Sequence, residues 1–209
     1  KTSPEDKLNE NNFELKESKL EDIDNNQVLI EVMYISIDAA NRAWMQGRTY
    51  RSQILPGDVM GGYALGKVID SKSNKFKVDD YVEGDLGWQN YAIRNENELI
   101  KTRIKSSENL HMSVLGITGK TAYFGLELAN LKAGETVLIS AAAGAVGNVA
   151  GQIAKIHGCK VIGITSSDDK AKWLIDELGF DCVVNYKNDN FVKDLRKICP
   201  EKVDVYFDN

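Results

Sequence analysis

The chain has 209 residues, 43% of them hydrophobic, enough for one large domain or two small ones around a proper core. A net charge of −5 and a pI near 5.2 leave no electrostatic footprint for nucleic acid. With no apolar run suited to a membrane span and no recognisable secretory leader, a cytoplasmic protein with neither membrane nor nucleic-acid partner is expected.

Residues 1–12 are polar and include Pro4, which reads as a frayed or trimmed lead-in. Phe13 to Leu15 is a brief strand candidate, and Gln27 to Ile37, QVLIEVMYISI, is a clear β segment rich in Val, Ile and Tyr. DAANRAWMQ, Asp38 to Gln46, suits a short helical turn or a loop. Pro56-Gly57 marks a turn, and Gly61-Gly62 a permissive backbone site before a strand from Ala64 to Asp70. Short strands follow at Tyr81 to Glu83, Asn90 to Arg94 and Leu99 to Thr102. Short strands separated by turn signals predict a small β-rich barrel or sandwich. The character changes between Ser106 and Leu115, after which ITGKTAYFGLELANL predicts a helix with Ala122, Leu126 and Ala129 on one face.

The stretch from Thr136 to Lys170 carries the clearest chemistry. Thr136 to Ser140 is a β-branched run suited to a buried parallel strand. The turn after it spaces Ala142, Gly144 and Gly147 as in a G-x-G-x-x-G fingerprint. Gly144 would let the backbone approach a pyrophosphate, and Gly147 would let the next helix pack closely on the strand. Free N–H groups at that helix's start, at Ala145 and Val146, then face the phosphates. Val146, Val149, Ala150, Ile153 and Ile156 predict one apolar helix face, Gly158 a left-handed cap, and Lys160 to Ile164 the second strand. Ser166-x-x-Asp169 has the capping-box pattern, and Ala171, Leu174, Ile175 and Leu178 give the next helix its apolar stripe before Gly179. Cys182 to Asn185 is a third strand. Phe191, Val192, Leu195 and Ile198 line a third helix that Pro200 stops, and Val203 to Asn209 is a fourth strand. Strands alternating with helices mean a doubly wound parallel sheet, an α/β fold of order 3-2-1-4 with Val203 to Asn209 at an unpaired edge.

The three cysteines, Cys159, Cys182 and Cys199, are odd in number and widely spaced, which suits buried thiols better than a disulfide framework. His111 and His157 are the only histidines, and neither stands at ligand spacing from a cysteine or acid, so no metal is expected. An NAD-type site needs an acid at the end of the second strand, roughly 20 residues past the glycines. Thr165, Ser166 and Ser167 occupy that place here, small and uncharged, with room for a phosphate. Lys170 then stands in a first helical turn, where a cation is unfavourable unless an anion is near. It reads as a 2′-phosphate ligand, or as a charge offset by Asp168 and Asp169.

The stretches SIDAANRAWM, DSKSNKFKVDDYV, LGWQNYAI, LGITGKTAYFGL, SAAAGAVGNVAGQIAKIHGCKVIGI, DELGFDCVVNYK and DVYFDN together resemble the zinc-independent branch of the medium-chain dehydrogenase/reductase superfamily, the prostaglandin reductase and 2-alkenal reductase group. The resemblance runs from Phe13 to Asn209. It implies a GroES-like substrate domain over residues 1–113 and the first half of an NADP-binding Rossmann domain over residues 114–209. It further implies NADP(H)-dependent hydride transfer to the β-carbon of a small enal or enone. Zinc-dependent relatives have Gly-His-Glu where this chain has VMGGYALG. The branch commonly has Asp-Pro-Tyr-Met-Arg where this chain has Asp38-Ala39-Ala40-Asn41-Arg42, so a pocket aromatic is replaced by Ala40. Relatives continue beyond Phe-Asp-Asn, through a proton-donating tyrosine in some and a strand through which many form homodimers. The resemblance places Tyr186 beside the 2′-phosphate end of the cofactor with Ser166 and Lys170, and Asn209 near its ribose. Thr121 either faces the nicotinamide or bonds back to its own helix. Trp44, Tyr50 and Trp88 line either a substrate cleft or the core, and no residue stands out as a catalytic acid. A non-catalytic NADP(H)-binding redox sensor or interaction protein, and a quinone reductase, are the competing readings.

Overall fold

The first half builds β1 (Gln27–Ile35), α1 (Ala39–Gln46), β2 (Tyr63–Ser71), β3 (Tyr81–Asp85), β4 (Tyr91–Asn95) and β5 (Ile100–Thr102). The strands form one antiparallel sheet in the order β4-β1-β2-β3-β5, a GroES-like arrangement. These positions come from a computed structural model that describes residues 7–104, 107–200 and 202–209. The chain separates into two compact units, Lys1–Met112 and Ser113–Asn209.

In the first unit, alternation works as the sequence predicts: Val28 and Ile30 point inward with Ala64, Val68, Val82, Leu86 and Ala92. The register of β1 on β2 slips twice, between Leu29 and Ile30 and between Val32 and Tyr34. Gly66 sits opposite this irregular stretch, where a Cβ would come within 2.7 Å of the Glu31 carbonyl oxygen. α1 forms as a capped helix, with Asp38 accepting from the Ala40 N–H at 3.0 Å and Asn41 accepting from the Asp38 N–H at 2.7 Å. Phe13 to Leu15 is not a strand. Leu15 is 98% exposed, so it lacks the half-buried surface a strand needs, and Phe13 instead stacks on Trp88. The lead-in reading of residues 1–12 falls partly outside the described residues; Glu10–Asn12 is a capped 3₁₀ turn. The change of character expected from Ser106 likewise begins outside them, and a 3₁₀ turn follows at Glu108–Met112.

Buried Glu83 is the polar centre of this unit. It accepts from the Tyr63 hydroxyl at 3.1 Å and the Thr102 hydroxyl at 2.7 Å, and His111 Nδ1 stands 3.7 Å from its Oε1. Burial, and then the Glu83 charge, push the Tyr63 phenol up to about 12.

The second unit contains α2 (Ile117–Ala129), β6 (Thr136–Ile139), α3 (Ala145–Ile156), β7 (Lys160–Thr165), α4 (Asp168–Asp176), β8 (Cys182–Asn185), α5 (Phe191–Ile198) and β9 (Val205–Phe207). Its parallel sheet runs β8-β7-β6-β9, the expected 3-2-1-4 order. Gly158 and Gly179 adopt the left-handed backbone expected after α3 and α4.

Three helix faces differ from the sequence reading. On α3 the fully buried residues are Gly147, Ala150, Gly151 and Ala154, while Val146, Val149 and Ile153 are only partly covered and Ile156 is 83% exposed. Small side chains meet the sheet because the helix approaches too closely for branched ones: a Cβ on Gly151 would lie 2.0 Å from the Phe180 ring. On α4, Leu174 is buried and Ile175 exposed, with Trp173 packed instead. Val192 of α5 is exposed, because that helix covers an outer strand and buries none of its residues fully.

Two outcomes follow. Overpacking in a closed core costs about 1–3 kcal/mol, which exceeds the ~1 kcal/mol that alanine gains over glycine in a helix. Gly151→Ala is therefore expected to lower the denaturant midpoint, and an unchanged or higher midpoint would show that Phe180 swings aside freely. β9 is hydrogen-bonded on one side only, Tyr206 is exposed, and α2 exposes Tyr123, Phe124 and Leu128. Such edges template pairing, so the 209-residue chain is expected to associate as concentration rises in light scattering. A concentration-independent monomer would show that the edge is inert.

Candidate dinucleotide-binding site

Parallel strands bring their C-terminal ends to one edge, and the register shows which residues meet there. Ile139 pairs with Gly163 on one side and Phe207 on the other, and Thr165 pairs with Asn185. The residues that follow these strands therefore line one rim: the turn 140–144, Ser166, Tyr186 and Asn209.

The turn is built by backbone alone. Ala141 takes φ 42, a left-handed conformation uncommon for a residue with a Cβ. This bend lets the Ala142 N–H donate to the Ile164 carbonyl at 2.9 Å and the Gly144 N–H to the Ala141 carbonyl at 2.7 Å. Gly144 is the N-cap of α3, and no side chain caps the helix there. Its first-turn N–H groups, on Ala145, Val146 and Gly147, stand at the positive end of the helix macrodipole, with Gly144 presenting no side chain above them. A Cβ on Gly147 would lie 2.6 Å from the Ala141 carbonyl oxygen and 2.9 Å from Ala142 Cα, both backbone.

At the second strand end, Ser167, not Ser166, is the N-cap of α4. Its hydroxyl accepts from the Lys170 N–H at 3.4 Å, so the Ser166-x-x-Asp169 box does not form. The helix begins one residue later because Ser167 is the residue with extended backbone. Ser166 is half-buried, and the Lys170 side chain is exposed in the first turn. Tyr186 is 53% exposed, held by its N–H on the Thr165 carbonyl at 2.9 Å. Asp168 is more than a dipole partner: Asn185 Nδ2 donates to its Oδ1 at 2.9 Å, tying the first turn of α4 to the turn bearing Tyr186.

Asn209 is clipped to the first strand. Its Nδ2 donates to the Ser140 carbonyl at 2.6 Å and its N–H to the Ser140 hydroxyl at 3.0 Å. That hydroxyl donates to Asp208 Oδ1 at 2.7 Å, and this bond, followed by the one from the Tyr206 hydroxyl, holds the Asp208 carboxyl below its usual range. Thr121 is exposed, and its hydroxyl donates to the Ile117 carbonyl of its own helix at 2.7 Å, so no bond ties it to the rim. Ser140, Asp208 and Asn185 were invisible to motif reasoning, because their roles come from partners 17 to 69 positions away.

In the first unit, Trp44 is buried and Tyr50 is 82% exposed, edge-on to it at 6.0 Å. The Arg51 guanidinium lies 4.5 Å from the Trp44 ring centroid and pairs with Asp85 at 2.6 Å. The indole N–H groups of Trp44 and Trp88 are buried without a hydrogen-bond partner among the described residues. No group of three or more His, Cys, Asp or Glu among those residues is arranged to hold a metal ion, and no helix is long and apolar enough to cross a membrane.

The bare-backbone turn, the helix N-terminus and the rim are those of a Rossmann-type dinucleotide-binding fold. Two families match the sequence: one described as the N-terminal domain of oxidoreductase, over residues 1–102, and one described as zinc-binding dehydrogenase, over residues 145–209. The chain belongs to the zinc-independent branch of the medium-chain dehydrogenase/reductase superfamily. It is 40% identical to prostaglandin reductase 1 of Mus musculus over 204 residues, covering 95% of this chain and 60% of that protein. Identity to the NADP(+)-dependent 2-alkenal reductase of Nicotiana tabacum is 37% over 190 residues, covering 88% of this chain and 55% of that one. CurA of Vibrio vulnificus, solved in complex with NADPH, superposes with a TM-score of 0.90 at 33% identity, over all of this chain and 63% of its own. This chain thus spans about 60% of the length of the prostaglandin reductase it matches.

Gly147→Ala is expected to abolish dinucleotide binding and to lower the thermal midpoint, since two backbone contacts must open to admit the methyl group. Gly47→Ala, where a Cβ meets nothing within 4 Å and the backbone is extended, serves as the control and should change neither. Retained binding in Gly147→Ala would show that the turn tolerates a wider gap between helix and strand.

Proposed function

We propose that this chain binds NADP(H) along the rim and belongs to an oxidoreductase that reduces the C=C bond of α,β-unsaturated aldehydes or ketones. The observation that carries the reading is the pairing of an uncapped glycine turn with a strand end that offers no free acid. The pyrophosphate fits the first-turn N–H groups of Ala145, Val146 and Gly147, where any side chain on Gly144 would stand in its way. Ser166 and Lys170 would hold the 2′-phosphate with Tyr186 beside it, and Asn209, fixed by Ser140, would stand at the ribose. When bound, the cofactor supplies a hydride to the β-carbon of the substrate; the α-carbon then takes a proton from solvent. What this chain contributes is binding and orientation, the main protein-side requirement of such chemistry. The NADPH complex of CurA and the 2-alkenal reductase activity named for the tobacco relative support the cofactor and the substrate class. Trp44, Tyr50 and Trp88 are the aromatic candidates for substrate contact, with Ala40 leaving space. Thr121 remains a candidate on the nicotinamide side that must first release its bond to Ile117.

Fluorescence titration with NADPH and NADH, followed by NADPH consumption with enals and enones in metal-free buffer, tests the reading. A Lys–phosphate contact contributes about 1.5–3 kcal/mol, so Lys170→Ala is expected to weaken NADPH about tenfold or more and leave NADH nearly unchanged. Equal loss for both cofactors would assign Lys170 a structural role. Quinone turnover in place of enone turnover, or tight binding with no turnover on any acceptor, would overturn the substrate assignment.

A further inference from the structure

Asp168 is the residue of this rim that has no business beside a phosphate. It follows Gly147 by about 20 residues, the place where an NAD-type site carries the acid that binds both ribose hydroxyls. It is exposed, on the first turn of α4, two residues before Lys170. A free carboxylate there would accept from a ribose hydroxyl and repel a 2′-phosphate.

The structure shows where that carboxylate is held. Asn185, the last residue of β8, is only 8% exposed, and both ends of its amide are used. Nδ2 donates to Asp168 Oδ1 at 2.9 Å, and Oδ1 accepts from the Lys187 N–H at 3.1 Å. A carboxylate can only accept and a backbone N–H can only donate, so these two partners require this orientation of the amide. The first bond draws Asp168 toward β8; the second shapes the turn that carries Tyr186. The Asn185 backbone adds to the same turn, its carbonyl accepting from the Asn188 N–H at 3.2 Å. Asp169 and Lys170 have no comparable bond from the neighbouring strand printed on their side chains, so the acid nearest the strand end is the one that is restrained.

We propose that Asn185 is a positioning residue for cofactor choice: by holding the Asp168 carboxylate against β8 it keeps the 2′-phosphate place free of negative charge. The inference rests on the NADP(H) reading above. It assigns selectivity to a buried side chain that does not touch the cofactor, in addition to the exposed cation that does.

The test compares NADPH and NADH dissociation constants, by nucleotide fluorescence, for the wild-type chain and four variants. In Asn185→Ala the carboxylate is released, and the preference for NADPH over NADH is expected to fall about tenfold. Asp168→Asn alone should leave the preference nearly unchanged, and combining it with Asn185→Ala should restore most of what was lost. Asn185→Asp keeps the shape and the acceptor for Lys187 but removes the donor, so it covers the case in which Asn185→Ala does not fold, and its preference should fall as well. Exchanging the pair, Asn185→Asp with Asp168→Asn, recreates the bond with donor and acceptor reversed and should recover the preference. An unchanged preference in a folded Asn185 variant would overturn the proposal. Equal weakening of both cofactors, or no recovery on removing the Asp168 charge, would reduce Asn185 to a structural residue and overturn it too. A wild-type chain that binds neither nucleotide, or binds both alike, would instead overturn the NADP(H) reading on which the proposal stands.

Discussion

The second unit depends on one close contact, the seating of α3 against β6 and β7. Gly147, Ala150, Gly151 and Ala154 present almost no side chain to the sheet, and Gly163 and Ala142 present almost none in return. Phe180 fills the space left over, its ring lying where a Cβ on Gly151 or Gly163 would be. A helix carrying leucine on that face would stand farther off, since interiors are packed to near-crystal density and cannot absorb even one methylene freely. The distance matters for chemistry as well as stability. Only a helix held this near the strand can begin directly above the turn at Ala141 to Gly144 and aim its first N–H groups over the rim.

Electrostatics at the rim follow from how each charge is tied down. Asp208 is engaged by Ser140 and Tyr206, and Asp168 by Asn185, so two of the acids nearest the strand ends are held by neutral donors. Hydrogen bonds to a carboxylate are about twice as strong as neutral ones. A neutral donor can therefore hold an acid in place at an exposed edge, where a surface ion pair would be worth little. Farther from the rim, Asp181 uses the same logic with a cation. Burial alone would raise its carboxyl, but the Lys155 ammonium at 2.8 Å and the Val161 N–H at 2.6 Å hold it below the usual carboxylate range.

The first unit solves a different problem, a buried acid in an antiparallel sheet. Glu83 is 6% exposed, and it survives there because Tyr63 and Thr102 donate to it from the two strands that flank β3 and His111 approaches from the 3₁₀ turn. Arg51 plays the matching part on the opposite sign of charge, pairing with Asp85 while its flat guanidinium covers Trp44. Gly61 lacks a Cβ at the point where that guanidinium lies, 2.8 Å from where one would be.

What the sequence by itself determined was whatever depends on neighbours along the chain. Strand alternation from Gln27, the caps at Asp38 and Gly158, the glycine turn and the alternation of strand and helix after Thr136 are all local patterns, and the sheet order followed from them together with the dinucleotide-fold rule. The candidate cofactor residues were legible for the same reason, since Gly144, Gly147, Ser166, Lys170, Tyr186 and Asn209 each stand at or just after a strand end. Only the tertiary structure decided which side of each helix is buried, because that depends on how closely the helix approaches its sheet and not on where its largest apolar residues fall. It also decided the partners of Glu83, Asp168 and Ser140: a hydrogen bond is set by distance in space, and Asn185 meets Asp168 from 17 positions away while Asn209 meets Ser140 from 69. The physical reason is range. Periodicity and capping act within a turn or two of the chain, whereas packing and charge placement join segments that only the folded sheet brings together.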